Sequence, residues 1–208
     1  MALIILAGGQ STRLGRDKSQ LELDGLSIME ALGAQLGFAG ETIIAAADPE
    51  RFVRFRARVV PDSPGCVGPL AGIAAGLAAS EDAANLIVAC DMPFPSPLLA
   101  REMLEAIATA YDAAVPCPGG RPEPTFAAYG RACLPAIERR LRAGLFKVTG
   151  FYDDVRTLRL CDQRLAGFGP AELVFLNINT EQDLRRAEEL LPQARALGCW
   201  PRESPRGK

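Results

Sequence analysis

The chain has 208 residues, a size at which one α/β domain buries about 70% of the surface its unfolded form exposes, and 49% hydrophobic against 23% charged residues is ordinary globular composition. Lysine and arginine number 23 against 25 aspartate and glutamate, so no overall basic field is available to hold a nucleic acid, and no apolar stretch approaches the roughly 20 residues of a membrane span. Histidine is absent, which removes Ser-His and Cys-His nucleophile pairs and imidazole zinc sites together, leaving carboxylates, lysine, arginine, backbone amides and a hard metal ion to do any chemistry.

The apolar start Met1-Ala2-Leu3-Ile4-Ile5-Leu6-Ala7 has no basic n-region and runs into Gly8-Gly9, so it reads as a buried strand rather than a signal peptide, and a cytoplasmic protein is expected. Short Ile/Val-rich runs at residues 3–6, 42–46, 58–60, 85–89, 113–115 and 173–176 predict strands. Between and after them, residues 70–79, 97–110 and 180–191 predict helices, the second entered at Ser96-Pro97 and the third through the capping pattern Thr180-Glu181-Gln182-Asp183. The alternation predicts strand-helix units stacked on a mostly parallel central sheet, in a single α/β domain over residues 1–200. From Pro201 onward Pro, Arg and Gly show no apolar periodicity, so residues 201–208 are expected to fray. Residues 115–121, with Pro116, Pro118, Gly119 and Gly120, form a loop that either lies over a site or is a plain hairpin connection. Six cysteines without a Cys-x-x-Cys pair signal neither a zinc ribbon nor a dithiol redox site.

The segment from Leu6-Ala7-Gly8-Gly9 through Arg13, Gly15 and Arg16 to Lys18 leaves a predicted strand with three glycines and three basic residues. Glycines let backbone N–H groups approach an anion closely, and the basic side chains add full charges. The pattern outlines a triphosphate cradle, although the spacing is neither that of a Walker A loop nor G-x-G-x-x-G. Asp91, in Cys90-Asp91-Met92-Pro93-Phe94, follows a strand directly and stands where open α/β sheets place ligands. One carboxylate there suits Mg²⁺, which keeps phosphate oxygens and waters for the rest of its shell; the alternative is a helix cap. Asp62, in Val60-Pro61-Asp62-Ser63, is a second strand-end carboxylate or a turn former. Gly68-Pro69-Leu70-Ala71-Gly72 pairs a turn with a small-residue helix, and Asn177-Ile178-Asn179-Thr180 offers two amides ahead of the last helix, either as substrate contacts or as turn chemistry.

In this order the motifs resemble the molybdenum cofactor guanylyltransferase family, and the matches span nearly the whole chain. The resemblance implies a Rossmann-like three-layer fold of the nucleotide-diphospho-sugar transferase kind. It implies transfer of GMP from GTP to Mo-molybdopterin, with Mg²⁺ as cofactor and pyrophosphate as by-product. Carried onto this chain, Leu6, Ala7, Gly8 and Gly9 would meet guanine and phosphate, Lys18 phosphate, Asp62 the nucleoside and Asp91 the Mg²⁺, with Asn177 and Asn179 toward the pterin. Pro124-Thr125 would line the acceptor side. Where the family often carries Asn at the end of the second strand, this chain reads Ile43-Ile44-Ala45-Ala46-Ala47-Asp48, which leaves the choice of GTP over CTP open. Catalysis then rests on positioning and charge neutralisation by Arg13, Lys18 and the ion at Asp91. The partners expected are GTP and Mo-molybdopterin, together with molybdenum-cofactor delivery proteins, for a chain that is a monomer or a weak homo-oligomer. The rivals are a transferase using CTP or a sugar or polyol phosphate acceptor, and a non-catalytic nucleotide- or cofactor-binding module.

Overall fold

The first strand, β1 (Ala2–Leu6), is buried along its whole length, as an uninterrupted apolar run must be when both faces of a parallel sheet are covered. The computed structural model describes residues 1–8, 21–55, 57–62 and 68–202. Around β1 lie β4 (Glu41–Ala46), β5 (Arg58–Pro61), β6 (Ala84–Ala89), β7 (Ala113–Cys117), β8 (Phe126–Gly130) and β9 (Thr157–Cys161), in the order β5-β4-β1-β6-β8-β7-β9. A hairpin of β2 (Glu22–Leu23) and β3 (Leu26–Ser27) stands apart, turning at Asp24-Gly25 with both residues at positive φ.

β1 pairs in parallel with β4 and β6, and β4 with β5, whereas β8 runs antiparallel to both β6 and β7. The carboxyl ends of β5, β4, β1 and β6 therefore share one edge of the sheet with the entry to β8. Alternation along β1 divides the core into two layers. Leu3 and Ile5 pack among residues of α1 (Ile28–Leu36), α3 (Pro97–Thr109) and α7 (Glu181–Ala196), while Ile4 and Leu6 pack among residues of α2 (Pro69–Ala79) and α4 (Leu134–Arg142). Helix, sheet and helix make the three layers expected.

The helix ends follow local chemistry. Ser27 and Glu30 form a capping box on α1, Thr180 and Asp183 form one on α7, and the Ser96 hydroxyl accepts the Leu99 N–H on α3. In α2 the reason for small residues is contact with β1: a Cβ on Gly76 would lie 2.4 Å from Ile4 Cγ2. Gly76→Val is expected to destabilise the protein by about 1–3 kcal/mol through overpacking, even though valine outranks glycine in helix propensity. A urea unfolding midpoint at or above that of the parent protein would contradict this contact.

Two predicted features are corrected. Residues 173–176 are not a strand: Ala171–Val174 form a short helix, α6, whose Leu173 and Val174 N–H groups donate to the Pro170 carbonyl. Its buried Leu173 and Val174 imitate the apolar run of a core strand, a case that periodicity cannot resolve over four residues. Residues 115–121 do not form one loop, because Val115–Cys117 complete β7 and only a 3-10 turn at Pro118–Gly120 follows, at the start of the hairpin connection to β8. A further short helix, α5 (Asp162–Leu165), follows β9, and the Asp162 carboxylate accepts the Gly119 N–H at 2.8 Å. Cys199 and Trp200 are buried against the α1/α3/α7 layer; of the expected tail, residues 203–208 lie outside the described residues.

Candidate active site

The ends of β4, β1 and β6 are locked to one another just where the predicted motifs begin. Ala7 N–H donates to the Ala45 carbonyl at 2.8 Å, and Cys90 N–H to the Leu6 carbonyl at 3.0 Å. Leu6, Ala7 and Gly8 thus leave the sheet between Ala45 and Cys90. Gly9, Arg13 and Lys18 lie outside the described residues.

Asp62 reaches this point from the end of β5. Its N–H donates to the Ala46 carbonyl at 3.2 Å, and its carboxylate stands over two glycines. A Cβ on Gly8 would lie 2.9 Å from Asp62 Oδ2, and one on Gly72 would lie 3.3 Å from Asp62 Oδ1 and 3.2 Å from Leu6 Cδ2. Gly8, Asp62, Gly72 and Leu6 therefore form one tight group in which only glycine leaves room. Gly68 precedes α2 at a φ of 95°, a conformation that glycine adopts without a Cβ penalty. Ala45 is the β4 residue nearest Gly72, and Asp48 is exposed beyond it.

Asp62 Oδ1 is buried and has no hydrogen-bond partner among the described residues. Burial pushes the Asp62 carboxyl above its usual range. The folded protein holds that proton more tightly than the unfolded chain does, so the stabilising contribution is complete at low pH and is lost as pH rises through the raised value. Asp62→Asn is accordingly expected to stabilise the ligand-free protein at neutral pH while weakening nucleotide binding, with the stability gain shrinking as pH falls to about 4. Thermal unfolding across this range checks the sign; an Asn variant less stable than the parent at pH 7 would mean that the carboxylate is paired.

Asp91 is half-buried at the end of β6. The Met92 N–H closes the turn onto the Ala89 carbonyl at 3.1 Å, and Pro93, Phe94 and Pro95 are buried beyond it. The Ile178 N–H donates to the Asp91 carbonyl at 2.9 Å, which brings the Asn177–Asn179 segment to Asp91 although the residues are far apart in sequence. Asn177 Nδ2 donates to the Phe175 carbonyl at 3.2 Å, and Asn179 N–H donates to Asp183 Oδ2 at 3.0 Å, so the turn reading of Asn179 describes its backbone. Both amides follow α6 rather than a strand.

No group of three or more Asp, Glu, Cys or His positioned for a metal occurs among the described residues. Asp91 offers one strand-end carboxylate at this edge, within the one or two oxygens that Mg²⁺ asks of a protein when phosphate and water complete its shell. Three neighbours of these motifs carry weak sequence signals: Ala45 and Gly72 pack beside Asp62 through their smallness, and Glu123, held by Thr125, is marked only by Pro124 and Thr125.

A mostly parallel α/β sheet with closely packed glycines and strand-end carboxylates at its carboxyl edge is the arrangement of a nucleotide-handling transferase of the nucleotidyltransferase class. Residues 3–155 match the model of the MobA-like NTP transferase domain. The chain is 40% identical to a probable molybdenum cofactor guanylyltransferase of Pelotomaculum thermopropionicum, covering 95% of this chain and 96% of that protein. It is 31% identical to a molybdenum cofactor guanylyltransferase of Desulfosudis oleivorans, covering 92% and 96%. The crystal structure of molybdopterin-guanine dinucleotide biosynthesis protein A from Archaeoglobus fulgidus superposes with a TM-score of 0.81 at 27% identity, covering 93% of this chain and all of that one. The chain belongs to the molybdenum cofactor guanylyltransferase family of MobA-like nucleotidyltransferases.

Proposed function

We propose that this chain transfers GMP from GTP to Mo-molybdopterin in a Mg²⁺-dependent reaction that forms molybdopterin guanine dinucleotide and pyrophosphate. The observation that carries the reading is the convergence, at one sheet edge, of the Gly8-Asp62-Gly72 group with Asp91 docked on Ile178, in a chain whose relatives carry that name over their full length.

In this reading the acceptor's terminal phosphate oxygen forms a bond to the α-phosphorus of GTP as the bond from that phosphorus to the β-bridging oxygen breaks, and pyrophosphate leaves with the electron pair. A phosphate monoester is largely dianionic at neutral pH, so no strong general base is needed, in accord with a chain that has no histidine. Leu6, Ala7, Gly8 and Gly9 hold the nucleotide beside Asp62, whose orphaned Oδ1 accepts a nucleoside donor. Arg13 and Lys18 neutralise the phosphates. Asp91 would hold the Mg²⁺, which when bound would supply charge neutralisation at the phosphates, and Asn177 and Asn179 face the pterin substrate. The transferase domain comprises residues 1–200, acts as a monomer or weak homo-oligomer, and receives the pterin from a delivery protein. Free thiols at Cys117, Cys133, Cys161 and Cys199 accord with a reducing cytoplasm, and no helix among the described residues is long and apolar enough to cross a membrane.

Pyrophosphate release measured with each of four NTPs, Mg²⁺ and metal-loaded molybdopterin tests the reading. Release confined to GTP and abolished by EDTA is expected. Release with CTP alone would transfer the assignment to the cytidylyl reaction, and nucleotide binding without release would make the chain a binding module.

A further inference from the structure

Beyond Asp91, on the side away from Asp62, the sheet edge continues into the connection between β7 and β8, and Glu123 is fixed there by three hydrogen bonds. Its N–H donates to the Pro116 carbonyl at 2.8 Å, and its Oε1 accepts both the N–H of Thr125 at 3.1 Å and the Thr125 hydroxyl at 2.5 Å. Thr125 is itself tied to the two sides of Asp91: its carbonyl accepts the Ala89 N–H at 2.8 Å, and its hydroxyl lies 3.8 Å from Met92 Sδ. Pro124, between them, is held by a buried pair of tyrosines. The Pro124 carbonyl can only accept, so the Tyr129 hydroxyl, 3.1 Å away, donates to it, and the Tyr152 hydroxyl at 2.8 Å must donate to Tyr129. Burial drives both phenol pKa values up, which keeps this relay neutral and oriented.

The arrangement commits one carboxylate oxygen of half-buried Glu123 to the loop, and Oε2 takes no hydrogen bond from the described residues. An ionised carboxylate is an acceptor only. Beside a site that must hold several phosphates, it repels the triphosphate and favours a neutral ring edge that carries donors. We propose that Glu123 reads the donor edge of the acceptor's heterocycle, an amino group next to a ring N–H such as a pterin presents, and so sets acceptor specificity. Asp91 then separates a nucleotide half, at Gly8, Asp62 and Gly72, from an acceptor half at Glu123. The assignment rests on the guanylyltransferase reading above.

Glu123→Gln separates recognition from architecture, because a glutamine Oε1 still accepts both Thr125 bonds while the second oxygen becomes an NH₂ donor facing a donor edge. Steady-state GMP transfer from GTP to metal-loaded molybdopterin is measured for the parent protein and the variant, with KM obtained for each substrate and the thermal unfolding midpoint recorded. The expected result is a KM for molybdopterin raised about tenfold or more, with the KM for GTP within about twofold of the parent value and an unchanged midpoint. An unchanged molybdopterin KM, or KM values for both substrates that rise together, would overturn the role of Glu123 while leaving the function intact. Absence of transfer by the parent protein itself would instead overturn the function on which the proposal rests.

Discussion

Asp91→Ala is expected to lower kcat/KM for GMP transfer by about 10²–10³-fold or more, the scale of losing a group that anchors transition-state charge. The fold should survive, because the bond that docks the Asn177–Asn179 segment uses the Asp91 backbone carbonyl, which alanine retains. The turn is closed by Met92 and Ala89 backbone atoms, and the buried residues that follow it are unaffected by the change. Circular dichroism and the unfolding midpoint are expected to match the parent. Raising the Mg²⁺ concentration should recover little activity, since the missing oxygen is part of the protein. Near-normal turnover in Mg²⁺ would remove Asp91 from the metal site and return it to the role of a turn residue.

Phe94→Ala is expected to have the largest effect on stability. Phe94 is fully buried, and its ring meets Trp200 edge-on with centroids 5.7 Å apart and planes at 81°. It joins the turn that carries Asp91 to the segment that follows α7, so its loss opens a cavity between two elements that cannot collapse independently. Such truncations cost about 3–5 kcal/mol, which for a domain of this size corresponds to a fall in Tm of about 6–20 °C. Calorimetry checks the value, and a fall of less than about 2 °C would show that the Phe94–Trp200 contact is not part of the cooperative core.

Much of the fold was legible because two signals were strong. The apolar runs of β1, of residues 43–46 in β4 and of residues 86–89 in β6 are what central parallel strands require, and Thr180 with Asp183 and Ser96 with Pro97 mark helix starts by satisfying or dispensing with free N–H groups. Other signals of the same kind went unread. Asp24-Gly25 marks the β2–β3 hairpin, and Ser27 with Glu30 is the capping box of α1. By contrast, Phe126–Gly130 has little internal alternation, and its strand identity comes from pairing with β6 and β7, whereas Thr157–Cys161 alternates polar and apolar residues as it pairs with β7. At 173–176 the apolar content marks burial but not backbone conformation, since a buried helical turn and a buried strand present the same residues.

The site divides in the same way. By itself, the sequence determined which residue types stand at the strand ends: Gly8, Asp62 and Asp91, with no histidine to share their work. It could do so because the chemistry of a strand terminus is local: a carboxylate or glycine after an apolar run reaches solvent at the sheet edge wherever the strand lies. Only the tertiary structure decided which of these ends meet. The parallel order β5-β4-β1-β6 brings Asp62 over Gly8 and Gly72 and orphans its Oδ1. The Ile178–Asp91 bond carries the two asparagines across the fold, and the reversed strand β8 brings the Glu123–Thr125 segment to the end of β6. These are contacts between residues distant along the chain, fixed by sheet order and by the burial of backbone donors, and no spacing within the sequence encodes them.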